Sequence, residues 1–208
     1  LLGQKSIVLT TVGFCFTSFV NVSIITWMAP LLVRAHGVPQ AQVGLMVGPI
    51  AGIAGITGAL LGVAVMNKLS AIDLKWLAKA PAIAKLGCIT FMLLVCFAPD
   101  AKTLLIGLAL TTVLSGFQVG PLMAVVQSAS RASMRSQAGA LTLLMFNLFG
   151  WALGPLVIGM LSDWLTPTLG GQALRYAFLA DVVALVLSAV FLALACRHVK
   201  PDIARTNE

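Results

Sequence analysis

Residues 6–31 read SIVLTTVGFCFTSFVNVSIITWMAPL and contain no charged side chain. This run decides the fold, because a helix needs about 20 apolar residues to cross the roughly 30 Å hydrocarbon layer of a membrane. Barrel strands are excluded, since they alternate in polarity over about ten residues. The sequence therefore predicts an all-α membrane protein of one domain, 1–208, with six transmembrane helices. The predicted spans are about 6–31, 41–66, 80–98, 103–127, 138–161 and 174–196.

Composition supports the same class. Of the 208 residues, 60% are hydrophobic and 9% are charged, whereas soluble globular domains carry about 25% charged residues. The 13 basic residues exceed the 6 acidic ones, but they are scattered between apolar runs and form no basic patch. This distribution argues against a nucleic-acid partner.

The basic residues instead predict orientation. Cytoplasmic loops carry the excess of Lys and Arg, so alternating the spans places both termini and a tail at 197–208 in the cytoplasm. The expected membrane is a bacterial inner membrane. Lys85 lies inside the third span and is expected to snorkel back to the cytoplasmic face. That face carries nine basic residues and the other carries three: Lys5, Lys68, Lys75, Lys79, Arg131, Arg135, Arg197, Lys200 and Arg205 against Arg34, Lys102 and Arg175.

Glycines repeat at four-residue spacing in two spans. Each glycine weakens a helix by roughly 1 kcal/mol relative to alanine, and a stripe of them lets a neighbouring helix approach closely. Two explanations stay open, namely packing within the six-helix unit and contact with another bundle. The glycines are Gly44, Gly48, Gly52, Gly58 and Gly62 in the second span and Gly150 and Gly154 in the fifth.

Polar side chains share one helix face in the first span and one in the fourth. Side-chain amides are costly in hydrocarbon and face either protein or a water-filled cavity. Hydrogen bonding across helix contacts and lining of a cavity therefore both remain open. The residues are Thr11, Ser18 and Asn21, then Thr111, Ser115 and Gln118, with Asn147 in the fifth span.

One acidic residue, Asp181, lies well inside a span. An intramembrane carboxyl is a functional candidate by default, and Asp181 is a candidate proton site. It lies near the outer end of the sixth span, where water reaches it, and Arg175 is close in sequence.

No catalytic or cofactor-binding pattern is present. The four cysteines lie in apolar runs without Cys-x-x-Cys spacing, so neither a disulfide nor a metal site is expected. A six-span intramembrane protease needs a histidine base at membrane depth, whereas His36 and His198 lie in a loop and in the tail. The absence of a Walker A motif excludes a self-contained ATP-driven pump. We therefore expect no enzyme activity and no cofactor.

Three stretches resemble the major facilitator superfamily. Residues 154–163, GPLVIGMLSD, resemble the Gly-Pro…Gly…Ser-Asp signature of that fold's eleventh helix, and residues 134–140, MRSQAGA, resemble the Arg-x-x-Ala run that opens it. Residues 27–34, WMAPLLVR, resemble the end of the seventh helix in spinster-like and related branches. The chain thus resembles the C-terminal six-helix half of such a transporter. One departure is Asn67-Lys68, where the family's gating motif has Asp-Arg.

The resemblance implies two inverted three-helix repeats, about 6–98 and 103–196. In each repeat the first helix would line the substrate cavity, the second would contact the other half, and the third would be a support. Asp181 lies on the support helix of the second repeat. The implied cavity residues are Ser18, Asn21, Ser115, Gln118 and Asn147; the implied gate-loop residues are Asn67, Lys68, Arg131 and Arg135; the implied half-to-half contacts are Gly44, Gly48, Gly52, Gly150 and Gly154.

The function that the resemblance implies is secondary active transport of a small organic solute by alternating access, as symport or antiport. The expected partners are the solute, the lipid bilayer and a second six-helix bundle, either an N-terminal half or another copy. No charged residue lies on the expected cavity faces, so a proton-coupling carboxylate would belong to the other half. The alternative is a stand-alone six-span protein that acts as a homodimer, or a truncated remnant without transport.

Overall fold

The computed structural model describes residues 4–207, which are almost entirely helical and contain no strand. Residues 1–3 and 208 of the expected domain lie outside the described residues, as does the side chain of Arg205. The helices are α1 (Lys5–His36), α2 (Gln40–Ile72), α3 (Trp76–Cys96), α4 (Ala101–Ser128), α5 (Arg135–Asn147), α6 (Gly154–Leu169), α7 (Ala173–Ala177), α8 (Leu179–Cys196) and α9 (Val199–Asn207).

The fifth and sixth spans form one apolar stretch that folds back on itself. Arg135–Cys196 is 62 residues long and would extend roughly 90 Å as a straight helix at about 1.5 Å per residue. It turns at Gly170, whose φ of 52° is in the left-handed region that favours glycine. α5 and α6 are joined by a π-helical turn, Leu148–Leu153, and make one crossing, while α8 makes the other. Together with α1 to α4 they give the six predicted crossings.

α1 lies at the centre of the unit and α2 lies at its edge. In the most apolar window of each helix, 67% of α1 is buried, compared with 22% of α2. α1 packs mainly against α8 and against the crossing made by α5 and α6. α3 lies between α4 and α8. Met28, Leu31 and Leu32 of α1 are fully buried in the largest apolar cluster. α1 is therefore enclosed on several sides by the other helices of the unit.

Close backbone contact joins α2 to α4. A Cβ at Gly62 would lie 2.6 Å from the carbonyl oxygen of Phe117, and one at Gly58 would overlap the backbone of Val113. Gly116 of α4 makes the reciprocal approach to the Gly55 carbonyl. These glycines therefore serve packing within the unit, which was one of the two explanations left open by the sequence.

The expected tail contains a docked helix. In α9, Asp202 accepts a hydrogen bond from the backbone N–H of Ser6 at 2.8 Å, and Lys200 pairs with Asp73 at 3.0 Å. The backbone N–H of Lys75, together with Lys200, holds the pKa of the half-buried Asp73 carboxyl below its usual value. Val199 is fully buried. α9 thus connects the start of α1 to the turn between α2 and α3.

Candidate functional site

Two grooves flank α1. One, the α1–α4 groove, has a volume of about 260 Å³ and is lined by Asn21, Ile24, Ile25, Val47, Ala51, Gly55, Leu108, Thr112, Ser115, Gly116 and Val119. The other, the α1–α5 groove, has a volume of about 460 Å³ and is lined by Ile7, Val8, Thr11, Val12, Cys15, Phe16, Ala138, Leu141, Thr142, Met145 and Phe149.

The α1–α4 groove carries the polar groups. It brings together Asn21 and Ser115, two of the residues that the sequence assigned to a cavity. The Thr112 hydroxyl is occupied by its own helix, since it donates to the Leu108 carbonyl at 2.8 Å. Gly55 and Gly116 remove side-chain bulk where α2 meets α4. The groove therefore offers an amide and a hydroxyl within apolar walls, which suits orientation of an organic molecule.

The α1–α5 groove is almost wholly apolar. Its lining contains no charged residue. The hydroxyls of Thr11 and Thr142 lie 3.2 Å apart and hydrogen-bond to each other. Phe16 and Phe149 contribute aromatic surface. This groove can cover the apolar part of a molecule but cannot bind a charged group directly.

The structure places Gln118 elsewhere than expected. The side chain is fully buried, and its Nε2 donates to the Leu114 carbonyl at 2.8 Å and to the Cys88 sulfur at 3.7 Å. Cys88 belongs to α3, so Gln118 faces the interior of the unit and neither groove. Helix periodicity grouped Gln118 correctly with Ser115, but the face is wide enough for the two side chains to meet different neighbours.

Two other expected cavity residues are likewise outside the grooves. Ser18 is fully buried and lies against Gly150, where a Cβ would touch its hydroxyl. Asn147 is exposed, and its Nδ2 donates to the Leu143 carbonyl at 2.8 Å. Ser18 therefore belongs to the contact of α1 with the fifth crossing. The Asn147 amide makes its hydrogen bond within its own helix.

The expected half-to-half glycines divide into two groups. Gly150 and Gly154 are buried against α1, and a Cβ at Gly154 would lie 2.7 Å from the Phe19 carbonyl oxygen. This corrects their assignment, since both serve packing inside the chain. By contrast, no atom lies within 4 Å of a Cβ placed at Gly44, Gly48 or Gly52. The first four turns of α2 therefore present an open glycine face.

The expected gate residues are exposed. Asn67 and Lys68 lie within α2, which continues to Ile72, so the structure places them on a helix where a loop was expected. Arg131 precedes a short 3-10 turn, and Arg135 begins α5. Since successive crossings alternate in direction, the end of α2 and the start of α5 lie at the same end of the unit.

Asp181 is fully buried, and neither carboxylate oxygen has a hydrogen-bond partner among the described residues. The Ser23 hydroxyl lies beside it but donates to the Phe19 carbonyl at 2.8 Å. Arg175, its neighbour in sequence, donates instead to the Cys96 and Ala98 carbonyls. Asp181 is thus an unpaired acid in the core and lines neither groove.

Lys85 does not snorkel as expected. It is fully buried, and its Nζ has no partner within residues 4–207. It lies one helical turn before Cys88 on α3, so both side chains project from the same face.

Trp27 is a contact that sequence reasoning missed. Its Nε1 donates to the Pro155 carbonyl at 3.0 Å, and Gly159 leaves room for its ring. An indole near a helix end is typical of the membrane interface, so the sequence alone favoured an anchor. The only signal for the contact was the Gly-Pro…Gly pattern of the fifth crossing.

Comparison with known proteins shows half-length similarity. No protein-family model matches the chain. It is 30% identical over 204 residues to a Mycolicibacterium smegmatis protein described as an MFS-type efflux pump, covering 98% of this chain and 47% of that protein. That protein is named as a pump, which agrees with the prediction that the chain is not an enzyme.

Solved structures show the same fold. A bacterial homologue of the human lysosomal transporter Spinster, inward-facing and unoccupied, superposes with a TM-score of 0.86 at 21% identity, over 96% of this chain and 49% of that one. Its occupied form gives a TM-score of 0.82, also at 21% identity, over 96% and 50% of the two chains. The chain therefore spans about half the length of the relatives that it matches.

Proposed function

The chain has the fold of one half of a major facilitator superfamily transporter, and from this premise we propose that it moves a small organic solute across the membrane by alternating access together with a second six-helix bundle. The observation that carries the proposal is the position of Asn21 and Ser115. They share a groove beside the central helix of a six-crossing unit that matches half of a transporter. The proposed half is the C-terminal one.

The open face of α2 supports the second bundle. Gly44, Gly48 and Gly52 present bare backbone with no neighbour, although each weakens the helix by roughly 1 kcal/mol relative to alanine. Close approach by another helix is what such a stripe permits in a membrane. The partner bundle therefore lies against the first turns of α2.

The solute site lies beside α1. In this proposal Asn21 and Ser115 orient the polar part of the solute, while the α1–α5 groove covers its apolar part. Neither groove contains a charged residue, so direct charge recognition belongs to the second bundle. Asp181 lines neither groove and has no part in the proposed solute site.

The chain is a multi-pass membrane protein, and its placement follows from its charges. We place both termini in the cytoplasm of a bacterium, because the ends of the crossings with most Lys and Arg face inward. The name of the M. smegmatis relative favours outward transport of the solute.

Replacing Asn21 tests the solute site. We expect Asn21→Leu to lower solute flux at least tenfold, because it removes the amide and fills the groove. The matched control, Asn147→Leu, should leave flux within about twofold, since Asn147 is exposed and lies in neither groove. Ethidium efflux would be measured by fluorescence in cells that express the chain from its native coding region with flanking sequence intact.

Equal flux in Asn21→Leu and in the unmodified protein would contradict the proposed site. Absence of flux in the unmodified protein, at normal membrane levels, would favour the remnant without transport. Flux that requires two copies of this chain would favour the homodimer.

A further inference from the structure

The contact between α3 and α4 contains a polar cluster, and the transport proposal uses only one of its members, Ser115. Lys85 and Cys88 of α3 lie three residues apart, as do Ser115 and Gln118 of α4, so each pair shares a helix face. The Gln118 amide donates a hydrogen bond to the Cys88 sulfur at 3.7 Å, and Ser115 lies one helical turn before Gln118 on α4. We call these four residues the Lys85 cluster.

Two atoms of the cluster have unmet hydrogen-bonding capacity. Lys85 Nζ and Gln118 Oε1 are buried, and neither has a partner among the described residues. The first is a donor and the second an acceptor. Buried polar atoms are normally satisfied by protein or by ordered water, and a water molecule can accept from one of these atoms while it donates to the other. Each of these atoms can therefore bond to a water molecule that enters the α3–α4 contact.

Ser115 connects this cluster to the α1–α4 groove. Its side chain lines the groove and is 5% exposed, and it lies one helical turn from Gln118, which is fully buried and donates to the Cys88 sulfur. Ser115 is thus the member of the Lys85 cluster that also lines the surface at which the solute is proposed to bind. A hydroxyl both donates and accepts a hydrogen bond, which is what transfer of a proton between the groove and the cluster requires.

No acid neutralises Lys85 from the helices packed around it. Among the described residues of these helices the ionisable groups away from the cluster lie near the helix ends, and the one buried carboxyl, Asp181, lies near Cys96 at the far end of α3. An ammonium without a counter-charge is costly at membrane depth. The ionisable groups on the elements packed against α3, and on α3 itself outside the cluster, are Lys102 of α4, Asp181 and Cys196 of α8, Lys68 of α2, Arg175 and Tyr176 of α7, and Lys79 and Cys96 of α3.

We propose that the Lys85 cluster is an internal proton-binding site that exchanges protons with the α1–α4 groove through Ser115. The Lys85 ammonium gives one proton to water in the groove and becomes a neutral amine, and it regains that proton when water next reaches the cluster. This inference rests on the proposed transport function, because proton exchange beside the solute groove is how this half would couple solute movement to a proton gradient.

Alkylation of Cys88 tests water access without any solute. Single-cysteine variants that retain only Cys88 or only Cys96 would be treated with N-ethylmaleimide in native membranes. Both cysteines are buried on α3, but only Cys88 belongs to the cluster, where it accepts a hydrogen bond from Gln118. We expect Cys88 to react about tenfold faster than Cys96, because maleimide needs a thiolate that water and a nearby ammonium stabilise. Lys85→Met should slow the reaction several-fold.

Ser115→Ala provides a milder variant, since it removes a single hydroxyl, and we expect it to slow Cys88 alkylation as well. If Cys88 reacts no faster than Cys96, water does not reach the cluster and the proposal is overturned. The same conclusion follows if neither Lys85→Met nor Ser115→Ala changes the rate.

Ethidium transport separates a proton site from a structural lysine. Lys85→Met is permanently neutral and Lys85→Arg is permanently charged. We expect both to lose transport driven by an imposed pH gradient. A merely structural lysine would tolerate the neutral variant, so pH-driven transport by Lys85→Met at the unmodified rate overturns the proposal. If the unmodified protein moves no ethidium under any driving force, the transport function fails, and the alkylation rates still decide the proton site.

Discussion

Asp100 shows how a single residue outside the membrane fixes the start of a crossing. Its carboxylate accepts hydrogen bonds from the backbone N–H groups of Lys102 and Thr103 and from the Thr103 hydroxyl. These are the donors that a helix leaves unpaired at its first turn. The Thr103 hydroxyl and backbone N–H hold the pKa of this carboxyl below its usual value. The charged form therefore stabilises α4.

The pKa shift of Asp100 predicts how the stability that this helix cap contributes changes with pH. The pKa of Asp100 is lower in the folded protein than in the unfolded chain. Its contribution to the free energy of unfolding is therefore complete above about pH 4 and is lost as the pH falls through the folded pKa. We expect Asp100→Ala to lower the unfolding temperature at pH 7. Asp100→Asn, which retains a capping oxygen, should lower it less.

Thermal unfolding of the purified protein in detergent, followed at several pH values, would check this. The difference between the unmodified protein and Asp100→Asn should shrink as the pH falls below about 4. A difference that is unchanged at the lowest pH would show that the charge of Asp100 does not contribute.

At the same scale, the sequence predicted which polar residues share a helix face but not what each face meets. The 3.6-residue period places Ser115 and Gln118 together, yet the rotation of α4 against α3 decides that Ser115 reaches a groove and Gln118 reaches Cys88. Ser18 shows the same limit. Its burial depends on Gly150, which is 132 residues away in the chain and whose approach no local pattern encodes.

Among the elements, α2 combines two glycine environments in one helix. Gly58 is pressed against the backbone of α4, whereas Gly48 has an open surface. The four-residue spacing continued through both environments, so the sequence alone left packing within the unit and contact with another bundle undecided.

The two environments predict opposite effects of one substitution. Gly58→Ala should lower the free energy of unfolding by about 1–3 kcal/mol, because its Cβ overlaps Val113 and overpacking forces backbone shifts. Gly48→Ala should raise it by up to about 1 kcal/mol in the isolated unit through better helix propensity. Denaturant titration of the six-crossing chain in micelles would measure both. Equal effects of the two substitutions would contradict the described α2–α4 contact.

The docked α9 was not predicted, because hydropathy detects long apolar runs and α9 is short and polar. Its position depends on long-range contacts, above all the acceptance by Asp202 of the Ser6 backbone N–H. We expect Asp202→Ala to lower the free energy of unfolding by about 1 kcal/mol, because losing the side-chain acceptor at a helix N-terminus has an effect of this size. Lys200→Ala is the control, since its exposed pair with Asp73 contributes little. Unfolding titrations in which Lys200→Ala is as destabilising as Asp202→Ala would contradict this role.

At the scale of the whole molecule, the six crossings and their resemblance to half of a transporter were predictable, because long apolar runs and the Gly-Pro…Ser-Asp pattern are local features. The helices of the unit are buried to very different extents. α1 is enclosed, two grooves open beside it, and the first turns of α2 present bare glycine backbone. This asymmetry agrees with the proposal that the unit is one bundle of two, with the proposed second bundle over α2 and the grooves.

The central claim is that the chain transports only in combination with a second bundle. It is tested most directly by ethidium flux into liposomes that contain residues 1–208 alone, compared with the chain fused to the half of the M. smegmatis relative that it does not match. We predict no saturable flux from the chain alone and saturable flux from the fusion. Saturable flux from a monomer of the chain alone would contradict the account.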